Sequence, residues 1–176
     1  MNILDAVFQV LSVAVTAGLF AGVAYFTRAG WRRIIGALVA AAPLVPLVMF
    51  YDAVAAQMGW WRYPAVGAGA APLAWYVASA LGYGAAFGLV GWRTIRRWGS
   101  RGLLGFLAAF ALFGAGRDLA YSHAYQLIVF GPGPLPILAD LFAYASAAAL
   151  VQLLMRWIAG PARADRLARE KQPGAS

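Results

Sequence analysis

Five apolar stretches, at 3–26, 34–56, 72–92, 103–121 and 136–158, constrain this chain more than any other feature. Hydrocarbon about 30 Å thick is crossed by roughly 20 apolar residues in a helix. A backbone inside it must close its own hydrogen bonds. The predicted fold is therefore all-α and integral to a membrane: a five-helix transmembrane bundle over residues 1–160, followed by a basic tail at 161–176. Composition agrees, with 63% hydrophobic and 11% charged residues, against about 25% charged in an ordinary soluble domain. The first stretch is long, lacks a basic leader and is followed at once by Arg28, Arg32 and Arg33, so it reads as a retained helix rather than a cleaved signal.

Arginine placement predicts the orientation, because short loops rich in Lys and Arg stay in the cytoplasm. Arg28, Arg32 and Arg33 fall in one loop, and Arg93, Arg96, Arg97 and Arg101 in another. The 57–71 loop has only Arg62, and the 122–135 loop has none. This alternation puts the amino terminus outside and the carboxyl terminus inside, as for a protein of the bacterial inner membrane. The net charge of +8 thus reflects topology. No basic patch interleaved with aromatic rings accompanies it, so a nucleic-acid partner is not expected.

Two units follow the same order: acid, outer loop, proline, helix, then arginine beside tryptophan. One runs through Asp52, Pro72 and Trp92-Arg93, the other through Asp118, Pro136 and Arg156-Trp157. They suggest a parallel two-helix repeat over 34–92 and 103–158. Gly18 with Gly22, and Gly84 with Gly88, have the spacing that lets helices approach closely in lipid. Such faces could equally join copies of the chain or a partner subunit.

Ionisable residues inside spans are costly and are functional candidates by default. Asp52, Arg117, Asp118 and Asp140 all fall near the outer ends of their spans, with Asp5 at the same level, while the inner half of the bundle has no acid. Trp60, Trp61, Tyr63, Trp75, Tyr76, Tyr121 and Tyr125 gather around them. An interfacial aromatic belt explains some of these rings; a binding wall for an apolar substrate explains the enrichment at one end. Arg117 is expected to form a structural ion pair with Asp140 or Asp52 across helices, since Asp118, its neighbour in sequence, points elsewhere on a helix. One carboxyl then lacks a counter-charge, and desolvation holds it protonated. Asp118 is the first choice, near a helix end with Tyr121 and Tyr125 on its face; Asp52 and Asp140 are the other candidates. His123 is read as a loop residue able to assist proton transfer.

Neutral carboxylic acids among aromatic rings can protonate an alkene and shield the resulting cation, as a cofactor-free isoprenoid cyclase requires. No other chemistry is equipped here: the chain has no cysteine and one histidine, which leaves no zinc or iron–sulfur ligand set, and it has no glycine-rich phosphate loop. No cofactor is expected; membrane lipids and a hydrophobic small molecule are. Tyr51-Asp52-Ala53 through Gly59-Trp60-Trp61-Arg62-Tyr63, followed by Pro72-Leu73-Ala74-Trp75-Tyr76, resembles the small membrane carotenoid cyclases of the heterodimeric lycopene cyclase type. The resemblance spans residues 51–76 and implies carotenoid cyclisation. That family carries a glutamate two residues after the proline, and here the position is Ala74. The resemblance then implies that Asp52, Asp118 or Asp140 replaces that acid, or that the activity is lost. Two other readings remain: a small-solute carrier, disfavoured because no span reads as interrupted, and a non-catalytic subunit whose polar cluster is structural.

Overall fold

The computed structural model describes residues 3–64 and 72–162. The carboxyl-terminal tail from 163 and the side chain of Asp5 lie outside the described residues. In chain order the elements are α1 (Ile3–Thr27), α2 (Trp31–Ala41), α3 (Leu44–Met58), β1 (Trp61–Arg62), α4 (Leu73–Ser79), a π-helical segment (Ala80–Ala86), α5 (Phe87–Trp98), α6 (Ser100–Tyr125), β2 (Val129–Phe130) and α7 (Leu135–Ala159). Among the described residues, five continuous helical stretches are long and apolar enough to cross a membrane: Gln9–Thr27, Trp31–Met58, Leu73–Trp98, Ser100–Tyr125 and Leu135–Ala159. Their outward surfaces are apolar, with Val10, Leu112, Phe142 and Trp157 well exposed, as lipid contact demands.

Two spans depart from the uninterrupted helices expected. The second breaks at Ala42 and Pro43. Proline lacks an N–H and its ring collides with the carbonyl four residues earlier. The break keeps helical dihedrals, with Pro43 at φ −65 and ψ −13, so it is a bend and not an unwound gap. The third span widens into the π-helical segment, a form that recurs at functional sites. Both irregularities lie mid-span; Ala42 and Pro43 are themselves exposed, whereas the π-helical segment buries Ala80, Gly82, Gly84, Ala85 and Ala86.

Small residues let the backbones meet there. Ala37, Ala40, Ala41, Ala80 and Ala85 form the inner core with Leu44, Leu89, Val151 and Met155. A Cβ on Gly84 would lie 2.8 Å from that of Ala41, and one on Gly88 would lie 2.9 Å from a Val151 methyl, so this glycine pair marks a packing face as expected. Gly18 and Gly22 do not: a Cβ at either meets nothing within 4 Å. α1 packs at the edge, against the third span, and turns that stripe away from the rest of the chain.

At the acidic end the two long loops are tied together by a feature absent from the sequence reading. β1 pairs antiparallel with β2, Trp61 opposite Phe130 and Arg62 opposite Val129. The pairing begins where α3 ends in a left-handed Gly59 at φ +68, with Trp60 N–H on the Ala55 carbonyl at 2.8 Å and Gly59 N–H on that of Ala56, a Schellman closure. At the other end, arginines cap helix termini. Arg33 donates to the Gly160 and Pro161 carbonyls at 2.6 and 3.0 Å, and Arg93 donates to Thr27 at 3.1 Å.

Candidate functional site

Beneath the strand pair a cavity of about 590 Å³ opens between the spans, and Asp52, Arg117, Asp118 and Asp140 all line it. Of the expected aromatic residues it gathers Trp61, Tyr63, Trp75, Tyr76 and Tyr121. Trp60 and Tyr125 do not form part of the wall. Trp60 packs within the loop cluster around Ala55 and Ile128, and Tyr125 is exposed, with its ring edge-on to that of Tyr121. His123 is no loop residue either: it sits in the last turn of α6, with Nδ1 2.8 Å from the carbonyl of Leu119.

The three carboxyl groups occupy three different environments. Asp52, on α3, is an acceptor for the strand region: Trp61 Nε1–H donates to Oδ1 at 3.0 Å and the Tyr63 hydroxyl at 3.1 Å, and Tyr76 supplies a further hydrogen bond. Burial, together with the adjacent Asp52, pushes the Tyr63 phenol above its ordinary value. It therefore remains protonated and donates.

Asp118 is bound to Arg117, which corrects the expected cross-helix pairing. Arg117 Nε donates to Asp118 Oδ1 at 2.8 Å, and Nη2 donates to the same oxygen. Consecutive Cβ atoms diverge on a helix, but the long arginine side chain curls back across that angle. Tyrosines from two other helices hold it there. Tyr83, in the π-helical segment, accepts from Nη1. Tyr144, on α7, accepts from Nη2 at 2.6 Å and itself donates to Asp118 Oδ2 at 2.8 Å. The guanidinium also stands 4.7 Å from the Tyr83 ring centre and 5.5 Å from that of Tyr121, within cation–π range. Tyr83 and Tyr144 are the site residues the sequence reading missed. The signal for Tyr144 was its place one turn after Asp140, on the same face of α7; Tyr83, deep in an apolar run, gave none.

Asp140 is the carboxyl left over. It is 5% exposed, and its Oδ2 has no hydrogen-bond partner among the described residues. Arg117, its expected partner, is engaged with Asp118. Asp118 for its part lies seven residues before the end of α6, because that helix runs on to Tyr125, so the terminal position that favoured it as the acid does not exist. Among the described residues no three potential metal ligands converge. Comparisons of the chain with known protein families, with curated proteins and with solved structures found no match to any of them.

Proposed function

We propose that the cavity binds an apolar isoprenoid or related lipid chain and that Asp140 acts on it as a proton donor in a cofactor-free cyclisation. The observation that carries this reading is the buried Asp140 carboxyl, unpartnered at Oδ2 on the wall of a largely apolar, aromatic-lined cavity. An unpaired carboxylate there would be strongly disfavoured, whereas the neutral acid is tolerated. The cavity size lies within the roughly 300–1,000 Å³ of small-molecule sites.

In the proposed step the Asp140 O–H bond breaks and its proton forms a C–H bond with one carbon of an alkene. The other carbon becomes a tertiary cation. A second alkene of the same chain attacks it, forming the ring bond, and the new cation loses a neighbouring proton to the Asp140 carboxylate. Atoms and charge balance, and no oxidant or metal is consumed. Trp75, Tyr76 and Tyr83 supply ring faces for the cation; the resemblance over 51–76 supports a carotenoid precursor as the substrate. Incubating the purified protein with a linear polyene in heavy water tests this: the expected product is a cyclic isomer carrying deuterium. Absence of both a retained apolar ligand and a deuterated isomer sinks the reading.

The same proposal places the cavity end of the bundle outside, with the amino terminus there and the carboxyl terminus inside, supported by the arginine alternation. The parallel repeat belongs to it too, supported by the pairing of β1 with β2, which arise from equivalent loops. Reporter fusions at Gly99 and Gly133 are expected on opposite sides, Gly99 in the cytoplasm. The reverse result would turn the site inward.

A further inference from the structure

At the opposite end of the bundle lies a second cavity, of about 570 Å³, whose polar lining comprises the side chains of Arg33, Trp92, Ser100, Gln152 and Arg156. Segments 27–33, 92–103 and 152–162, which meet at this end, are rich in arginine and contain no aspartate or glutamate. Arg156 stands on the cavity wall and makes no ion pair among the described residues. Gly99 and Ser100, the start of the 26-residue α6, form another part. Gly99 brings no side-chain cap to that terminus, so the positive end of the helix dipole lies uncapped at the wall.

Trp92 adds a buried donor to this wall. Its ring belongs to the same wall, it is 3% exposed, and its Nε1–H has no acceptor among the described residues. A buried indole donor without an acceptor calls for an explanation. Arg33 and Arg96 lie over this ring at 5.5 and 4.8 Å from its centre, which adds positive charge on its faces and no acceptor. From here an apolar wall of Leu103, Leu107 and Leu153 leads outward, and Leu153 is 64% exposed on the lipid-facing surface.

From these features we propose that this cavity is a binding site for the phosphate group of an anionic membrane lipid, with Arg156, the Trp92 indole N–H and the amino terminus of α6 receiving the phosphate oxygens and the leucines receiving an acyl chain. Basic pockets between transmembrane helices are suited to such headgroups. The site is separate from the carboxyl cavity and does not depend on what that cavity binds.

The experiment titrates the detergent-solubilised protein with phosphatidylglycerol, with phosphatidylcholine and with inorganic phosphate, reading the melting temperature. Phosphatidylglycerol is expected to raise it saturably, and the other two to leave it unchanged. Arg156→Gln, an exposed change, and Trp92→Phe, which keeps the ring plane but removes the N–H, should each raise the half-saturating lipid concentration about tenfold, the loss of one hydrogen bond to a charged group. Arg28→Gln, an equal charge loss away from the cavity, should titrate as wild type. Inorganic phosphate matching the lipid would overturn the lipid as source. Equal action of phosphatidylcholine, or Arg156→Gln and Trp92→Phe titrating like Arg28→Gln, would overturn the site.

Discussion

Arg117→Ala is expected to lower stability in detergent by about 3 kcal/mol, the range found when one partner of a buried ion pair is removed. Arg62→Ala, on an exposed strand position, should stay within about 0.5 kcal/mol of wild type. The contrast follows from what Arg117 leaves behind. Asp118, 7% exposed, would lose its counter-charge, and the hydroxyls of Tyr83 and Tyr144 would lose the group that orders them. Replacing both members, Arg117→Leu with Asp118→Leu, should recover much of the loss, because no buried charge then remains uncompensated. Thermal unfolding of the three variants measures this. Equal effects of Arg117→Ala and Arg62→Ala would mean that the guanidinium escapes to water or headgroups.

Asp140→Asn is expected to reduce turnover of the polyene by about 10²–10⁴, the usual contribution of a positioned general acid, while leaving ligand retention and folding intact. Asp140→Leu should go further in a telling way: it removes an unpartnered buried polar atom and should raise the melting temperature as it removes activity, since leaving such an atom unsatisfied costs about 1–3 kcal/mol. Residues kept at the expense of stability are the mark of a working site. Asp118→Asn should behave oppositely, losing stability because Arg117 is left without its carboxylate. If Asp140→Asn turns over normally and Asp118→Asn does not, the proton donor is Asp118 and Asp140 only lines the wall.

That Asp52, Asp118 and Asp140 share one end of the bundle was legible from span boundaries alone, and they do line one cavity. Which of them was left unpartnered was not legible. Asp118 was chosen for its place near a helix end and for the expectation that Arg117 would pair elsewhere; α6 runs on to Tyr125, and a long arginine held by Tyr83 and Tyr144 reaches back to Asp118. Of the expected rings, Trp61, Tyr63, Trp75, Tyr76 and Tyr121 line the cavity; the strand pair turns Trp61 toward it while Trp60 packs in the loop cluster, and Tyr125 stands exposed at the end of α6.

By itself, then, the sequence determined the five apolar helices and the segregation of acids from arginines. Both follow from bilayer thickness and from the cost of charge in hydrocarbon, which act on each segment regardless of its neighbours. The tertiary structure decided the π-helical segment carrying Tyr83, the pairing of Trp61 with Phe130, and which glycine pair meets a helix. These depend on which faces come together. A helix that is apolar nearly all round carries no hydrophobic stripe to declare its inner face, so that choice is made only when the helices pack.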